Sequence, residues 1–226
     1  MRTALVVPAA GRGDRLGAPR PKALVPLAGE PLLLHALRRA TASDVVDVVV
    51  VVAPAGECEE VRSLLTSEVP GVLVVPGGAE RQDSVRAGLR ALPADVDVVL
   101  VHDAARCLTP PGVFTAVVAA VRAGAAGVVP VVPVSDTVKR VTGHHVVETL
   151  DRSELVAVQT PQGFSADVLR AVHEAAVPGA AATDDAGMLE ALGHTVRTVP
   201  GDERAFKVTR PLDLLLAQSL VDQEAP

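Results

Sequence analysis

The residues best suited to chemistry in this sequence lie in a short stretch near the amino terminus, between Pro8 and Lys22. Its first part, Ala9-Ala10-Gly11-Arg12-Gly13, consists mainly of small residues, which let backbone N–H groups approach a phosphate or a base edge closely. Arg15 and Lys22 add two cations to the same loop. Because the loop follows an apolar run that ends at Pro8, the pattern predicts a phosphate-binding loop at the end of a β-strand.

Two well-known phosphate-binding motifs fit this loop less well. A Walker A loop requires Gly-Lys followed by Ser or Thr, which is absent here. The dinucleotide fingerprint would use Gly11, Gly13 and Gly17, with the last glycine one residue late. It also needs an acidic residue after the second strand, but the first acid after Ala53 is Glu57. An NAD(P)-binding oxidoreductase and a plain turn without a ligand stay open as alternatives.

Polar residues follow two further apolar runs. Ser84 comes after the pair Gly77-Gly78 and could bond a base edge, or the segment could simply begin a capped helix. Asp103 follows a strongly apolar run, where it could orient a ribose or face nucleotide-bound Mg²⁺. The alternative for Asp103 is a surface pair with Arg106. We expect a structural role for His102, because no partner residue marks it as a base.

Two later clusters contain cations that could bind phosphate. Arg152 and Lys139 lie in a region rich in charged and turn residues, where solvated charge is the alternative. Lys207 stands between apolar Phe206 and Val208, so an alternating strand could point its side chain into a cleft.

Composition limits the classes of function. The 226 residues fit one α/β domain, and 49% of them are hydrophobic. The net charge of −6 and the aromatic content of 1% argue against a nucleic-acid partner. Two cysteines suit a reducing compartment, and no signal segment opens the chain. Arg122 interrupts the longest apolar stretch, so we expect a cytoplasmic protein without a membrane span.

Apolar runs and amphipathic stretches alternate along the chain. Runs without internal alternation predict strands buried on both faces, as in a parallel sheet, at Ala4–Pro8, Val45–Ala53, Val72–Val75, Val96–Val101 and Gly127–Val132. Helices are predicted at Leu32–Ala42, Glu57–Ser67, Arg81–Leu92, Pro111–Ala123, Ser165–Ala176, Asp184–Leu192 and Pro211–Val221. This order predicts an α/β fold of βαβ units with helices on both faces of the sheet.

The regular alternation stops between Pro133 and Pro161. Valines there alternate with charged and turn residues around the sequence Thr142-Gly143-His144-His145, which predicts a β-hairpin. We expect this hairpin to project as an arm at about 134–158, able to pair with a second subunit, within a single domain covering 1–226.

Taken in order, these motifs resemble the 2-C-methyl-D-erythritol 4-phosphate cytidylyltransferase family from Val6 to about Leu220. The matching segments are Pro8–Gly13 with Arg15 and Pro21-Lys22, Gly77-Gly78 through Arg81 to Asp83-Ser84-Val85, His102-Asp103-Ala104-Ala105-Arg106, Asp136-Thr137, Asp151-Arg152, Thr160-Pro161-Gln162, Thr183-Asp184 and Lys207-Val208-Thr209-Arg210-Pro211. The resemblance implies a Rossmann-like three-layer sandwich of the nucleotide-diphospho-sugar transferase type, with a mainly parallel sheet and a dimerising β-arm.

The resemblance also implies a reaction. In it, CMP passes from CTP to 2-C-methyl-D-erythritol 4-phosphate with release of pyrophosphate, in the non-mevalonate route to isoprenoid precursors. Mg²⁺ would be bound mainly through the phosphates of CTP. Because the arm of this family reaches the neighbouring active site, Thr137 and Arg152 are expected to serve the partner subunit of a homodimer.

The family's functional residues carry over onto matching positions. The implied catalytic residues are Arg15, Lys22, Arg152 and Lys207. The implied nucleotide contacts are Pro8, Ala9, Ala10, Gly11, Gly13, Gly78, Asp83, Ser84, Asp103 and Ala104. The implied contacts to the acceptor substrate are Thr137, Arg106, Thr160 and Thr183.

The sequence departs from the family pattern at three positions. Cys107 stands where a proline often follows, Ala79 replaces a common acid, and Gly163 replaces a bulkier residue. The nearest alternative is a ribitol-5-phosphate cytidylyltransferase, which would share the CTP motifs. A catalytically inactive nucleotide-binding regulator is a further alternative, against which the two cations of the first loop argue.

Overall fold

The computed structural model describes residues 1–11, 13–17, 20–175 and 184–224. The strands are β1 (Arg2–Pro8), β2 (Pro26–Leu27), β3 (Glu30–Pro31), β4 (Val48–Ala53), β5 (Leu73–Pro76), β6 (Val96–Val101), β7 (Gly127–Pro133), β8 (Lys139–Thr142), β9 (His145–Thr149), β10 (Val156–Val158), β11 (Gln162–Ser165) and β12 (Val196–Pro200). The α-helices are α1 (Leu32–Thr41), α2 (Cys58–Leu65), α3 (Arg81–Arg90), α4 (Pro111–Arg122), α5 (Ala166–Ala175), α6 (Asp185–Ala191) and α7 (Pro211–Glu224). None of these helices is long and apolar enough to cross a membrane.

Eight strands form one central sheet. Its first half is parallel, in the order β5-β4-β1-β6. β11 lies antiparallel between β6 and β7. β11 pairs only with the first residues of β7, and β10 pairs antiparallel with its last residues, from Val131 to Pro133. β12 runs parallel to β7. The α/β fold with a mainly parallel sheet, predicted from the apolar runs, is confirmed.

Each face of the sheet packs against an apolar core. Along β1, Leu5 and Val7 belong to one core, whereas Ala4 and Val6 belong to the other, as the alternation of side chains along a strand requires. Helices α1, α2 and α4 cover the first core, and α3, α5 and α6 cover the second. Because both faces are covered, the strands need no polar face, which explains their unbroken valine runs.

The strand β11 has no counterpart among the predicted strands. Its four residues contain only one strong strand former, Phe164, and the last of them, Ser165, is the first residue of a predicted helix. Packing explains the glycine in this strand, since a Cβ atom on Gly163 would lie 2.3 Å from Cγ1 of Val117 on α4. The bulkier residue that the family resemblance suggests has no room at this position.

The predicted hairpin forms from β8 and β9, which pair only with each other among the described strands. All residues of both strands are exposed. Val156–Val158, at the end of the expected arm, instead joins the central sheet as β10. The arm boundary at about 134–158 and the single domain 1–226 stay predictions.

Candidate active site

Three loops meet at the carboxyl ends of the parallel strands β1, β5 and β6. Together with the segment that carries Lys207 and Thr209, they enclose an open cavity of about 290 Å³. It lies beside β1, where the chain order of the sheet reverses, because β4 flanks β1 on one side and β6 on the other. Open α/β sheets bind ligands at this kind of switch point. The lining residues are Pro8, Ala9, Ala10, Gly11, Gly13, Arg15, Lys22, Ala23, Gly78, Ala79, Glu80, Arg81, Ser84, Asp103, Ala104, Ala105, Lys207 and Thr209.

The first loop folds back on itself so that Lys22 faces the cavity. The backbone N–H of Lys22 donates to the carbonyl of Gly11 at 3.3 Å. Gly13 has a φ of +75°, and a Cβ atom there would lie 2.5 Å from Cβ of Lys22. Glycine is therefore required at position 13 both for the left-handed backbone and for the close approach of the lysine.

The second loop is held against the carboxyl end of β4. The N–H of Gly77 donates to the carbonyl of Ala53, the last residue of β4, at 2.8 Å. No acidic side chain follows at that strand end, where a dinucleotide's ribose would be held. The structure therefore gives no support to the dinucleotide alternative.

The cavity contains a compact cluster of charge around Asp103. Nζ of Lys207 lies 2.6 Å from Oδ2 of Asp103. Burial would raise the pKa of Asp103, but the charges of Lys207 and Arg81 outweigh it and lower that pKa to about 2. Asp103 is therefore an ionised carboxylate at neutral pH.

Lys22 is a lysine with an unusually low proton affinity. Burial lowers its pKa to about 8, with the positive charge of Lys207 as the next contribution, while Asp103 partly opposes both. Arg15 lines the same cavity and adds to the repulsion. Several cations are thus gathered around one carboxylate, an arrangement that an incoming polyanion would stabilise.

Arg81 belongs to this cluster although it is missing from the site residues expected above. It opens α3 and lines the cavity. Its Nη1 lies 2.7 Å from Oδ2 of Asp185, and its Nε lies 3.9 Å from Oδ1 of Asp103. The sequence signal for Arg81 is its place between the glycine pair Gly77-Gly78 and Ser84.

Ser84 and Asp83 follow Arg81 on α3 and differ in position. The hydroxyl of Ser84 accepts from the N–H of Gly78 at 3.3 Å, donates to the carbonyl of Glu80 at 3.2 Å, and borders the cavity. Asp83 accepts from the N–H of Glu80 and pairs with Arg86, so it caps the helix and is not among the lining residues.

Thr160 and His102 hold Asp103 in place from the side away from the cavity. Oγ1 of Thr160 accepts from the backbone N–H of Asp103 at 3.0 Å and shares a hydrogen bond with Nδ1 of His102 at 2.9 Å. Burial lowers the pKa of His102 to about 4, so its ring is neutral. This position agrees with the structural role expected for His102, and it places Thr160 behind the cavity wall.

Arg106 also lies behind the wall. Its guanidinium donates to the carbonyls of Ala205 at 2.6 Å and Val158 at 3.1 Å. The N–H of Val208 donates to the carbonyl of Ala105 at 2.9 Å, which fixes the segment that carries Lys207. Among the described residues Asp103 pairs with Lys207 and Arg81 and not with Arg106, so the surface pair considered above does not form.

Two expected residues lie on the arm, away from the cavity of the same chain. Thr137 and Arg152 are exposed, and Nη1 of Arg152 donates to the carbonyl of Ser135 at 2.7 Å. Thr183 lies outside the described residues. Their roles, like those of the residues that do line the cavity, stay predictions.

The residues of the cavity fit a metal only in part. Within the described chain no group of three or more His, Cys, Asp or Glu side chains could hold an ion. Asp103 is ionised, but it is already shared between two cations, Lys207 and Arg81. Mg²⁺ in proteins commonly keeps several waters and binds through one or two carboxylates plus substrate phosphates. The cavity therefore fits a cation carried by a polyphosphate, not a protein-only metal site.

Comparison with known proteins gives a consistent result. A family model for 2-C-methyl-D-erythritol 4-phosphate cytidylyltransferase matches residues 3–223. Proteins of that name from Streptomyces avermitilis and Nocardia farcinica are 53% and 55% identical, covering 97% of this chain and 92% and 94% of theirs. The crystal structure of the Thermus thermophilus protein of that name is 36% identical, with a TM-score of 0.82 over 98% of this chain and 100% of that one.

Proposed function

The chain belongs to the 2-C-methyl-D-erythritol 4-phosphate cytidylyltransferase family, and we propose that its loop cavity transfers CMP from CTP to 2-C-methyl-D-erythritol 4-phosphate. Pyrophosphate is the second product. One observation carries the assignment to this cavity: Lys22, Lys207 and Arg81 gather around Asp103 at the switch point of the sheet. The relatives named above carry this activity in their names, and they match nearly the whole chain.

The reaction requires little proton chemistry. A phosphate monoester has a second pKa near 6, so the acceptor is largely dianionic at neutral pH and can attack the α-phosphate of CTP directly. The barrier comes from bringing two anions together in line. The cavity has cations to offset that repulsion, and neutral, buried His102 is no candidate for a general base.

We assign Lys22 and Arg15 to the phosphates of CTP. Both line the cavity on the first loop, next to the small residues whose backbone can approach the nucleotide. Triphosphate binding would favour the charged form of Lys22, whose pKa is low before the anion arrives. Above about pH 8 the charge of Lys22 therefore depends on the substrate that it binds.

We assign Lys207 to the acceptor phosphate, with Asp103 as its positioning partner. The 2.6 Å contact fixes the ammonium group at the cavity mouth, where the side chain is 42% exposed. We propose that Pro8, Ala9, Ala10, Gly11, Gly13, Gly78, Ser84 and Ala104 border the nucleotide, and we add Arg81 to the site. Asp83, Arg106 and Thr160 would act indirectly, through the elements that they hold.

We propose Mg²⁺ as the accompanying cation, bound mainly through CTP phosphates. When bound, it would offset charge on the phosphates of CTP. Asp103 is the protein group placed to meet it, because it is ionised and borders the cavity.

We propose that residues 1–226 form one cytidylyltransferase domain that works as a homodimer in the cytoplasm. The arm favours the proposal of a dimer, because its side chains Val141, Val146 and Val147 are 59–61% exposed and could pack against a partner. An isolated two-stranded hairpin is at best marginally stable in water, so a partner surface would stabilise it. Thr137 and Arg152 would then complete the partner's site. The two free cysteines, Cys58 and Cys107, suit a reducing compartment.

Replacement of Lys22 tests the site directly. With CTP, Mg²⁺ and 2-C-methyl-D-erythritol 4-phosphate, Lys22→Met should lower the kcat of pyrophosphate release by about 10²–10³-fold, the usual cost of one transition-state donor. Arg197→Met removes an exposed cation on β12 and should leave kcat unchanged. Near-normal turnover by Lys22→Met would refute the assignment of this cavity.

A further inference from the structure

A second cavity lies between the carboxyl-terminal half of α3 and the helix α5. Its volume is about 610 Å³, within the range of small-molecule sites. None of its described lining residues borders the first cavity. Leu89 and Leu92 supply apolar surface on one side of it. The reaction assigned above makes no use of this space.

Positive charge dominates the described lining of this second cavity. Arg86, Arg90 and Arg170 face it, against the carboxylate of Glu174. The neighbouring acids offset this charge only partly. Arg86 lies 3.2 Å from Asp83, and Arg170 lies 4.0 Å from Asp167, whose side chain is 98% exposed. Two of the arginines also have backbone partners, because Nε of Arg86 donates to the carbonyl of His173 at 3.3 Å and Nη2 of Arg170 donates to that of Pro93 at 3.1 Å. Their remaining N–H groups and the guanidinium of Arg90 are the donors left for an anion.

One buried side chain of this cavity is incompletely hydrogen-bonded. His173 is 2% exposed, and its Nε2 donates to Oδ1 of Asp185 at 2.9 Å. Its Nδ1 has no partner among the described residues. Buried polar atoms without a protein partner are rare in folded proteins, and a bound water, ion or ligand often satisfies them. Nδ1 itself has almost no accessible surface, however, and while Nε2 donates to Asp185 the Nδ1 atom of a neutral ring only accepts, so it would not bond a phosphate oxygen. His173 contributes a wall of the cavity and a hydrogen bond to Asp185.

The same histidine links the two cavities. Oδ2 of Asp185 accepts from Arg81, which borders the first cavity and approaches Asp103. Burial alone would raise the pKa of Asp185, but the hydrogen bond from His173 and the charge of Arg81 lower it. Asp185 is thus an ionised carboxylate held between a residue of each cavity. A change at His173 would therefore be felt at Arg81.

We propose that the cavity between α3 and α5 binds a small phosphorylated compound with an apolar part, and that this binding changes the affinity for CTP through His173, Asp185 and Arg81. Guanidinium groups match phosphate oxygens in geometry and charge, and the leucine surface suits a nonpolar group. The proposed binding does not rest on the reaction assigned above, whereas the proposed link to CTP does.

Binding can be tested with phenyl phosphate and calorimetry on the full chain. Lys22→Met serves as the background, because it weakens competing binding in the first cavity. In that background we expect a Kd of about 1 mM or below. Adding Arg90→Glu and Arg170→Glu should weaken it at least about tenfold, whereas Arg197→Glu should not. Absence of binding, or binding that the arginine variants leave unchanged, would overturn the proposal.

The link can be tested by calorimetric titration of CTP itself, without turnover. Saturating phenyl phosphate should change the Kd of CTP for the wild-type chain by about fivefold or more, the lower end of typical coupling between sites. In Asp185→Asn the probe should still bind, and this change should disappear, with thermal unfolding confirming an intact fold. An equal Kd with and without the probe in the wild type, or an undiminished change in Asp185→Asn, would contradict the link.

Discussion

At the scale of single residues, the protonation of the site depends on the charged side chains that lie close together in the cavity. Lys207 pairs with the carboxylate of Asp103, and Lys22 is near enough to feel the charges of both. The free protein therefore holds Lys22 in an unfavourable environment, which lowers its pKa to about 8. The sequence identified each of these residues, but it did not show that they alter one another's protonation.

The affinity for CTP should consequently depend on pH. Below about pH 8 Lys22 is already charged, so the KM for CTP should be flat. Above that pH binding must restore a proton to Lys22, and the KM should rise towards about tenfold per pH unit. Steady-state kinetics across this range measures the effect.

Lys22→Arg serves as the control for this profile. Arginine stays protonated throughout the range, so the rise in KM should vanish even if kcat is lower. A flat profile in the wild type up to about pH 9.5 would contradict the low pKa of Lys22.

At the scale of elements, the loop after β1 positions the cations. Gly13 is the critical residue of this loop, because it faces Cβ of Lys22, an atom that cannot move without the backbone of Lys22. Sequence reasoning found the loop and its glycines, yet it could not distinguish their roles. Gly17 also has a positive φ, of +68°, but no atom of the described residues lies within 4 Å of the position that its Cβ would occupy.

The two glycines make a matched pair for mutation. Gly13→Ala adds both backbone strain and a clash with Lys22, so it should displace the lysine and lower kcat at least about tenfold. Gly17→Ala adds only the strain, which costs about 1 kcal/mol or more in stability, and it should retain kcat. Circular dichroism and pyrophosphate release measure both effects. Equal kcat values for the two variants would rule out the close approach as the reason for Gly13.

At the scale of the whole molecule, the long valine runs made the fold easier to predict from the sequence than the arrangement of the site. Strands buried on both faces are readable from the sequence because hydrophobic burial alone determines them. β11 was not predicted, since its pairing depends on contacts with distant strands and with α4. Asp185 was likewise not assigned to the site, because only the folded chain brings it to Arg81.

The arm provides a prediction for the assembly. Val147→Glu places a charge on the exposed apolar surface of β9, so it should weaken the proposed dimer and lower activity at low protein concentration. Leu192→Glu changes an exposed apolar residue elsewhere, at 53% exposure, and should leave the dimer intact. Sedimentation velocity at several concentrations measures both. Identical sedimentation of Val147→Glu and the wild type would argue against dimerisation through the arm.

The most direct test of the proposed reaction follows the α-phosphate itself. The wild-type chain is incubated with Mg²⁺ and CTP labelled at the α-phosphate, and with either 2-C-methyl-D-erythritol 4-phosphate or ribitol 5-phosphate. We predict that the label moves to the methylerythritol phosphate, which becomes a cytidine diphosphate ester, while the pyrophosphate released stays unlabelled. Transfer to ribitol 5-phosphate alone, or label retained in CTP with both acceptors, would contradict the proposed reaction.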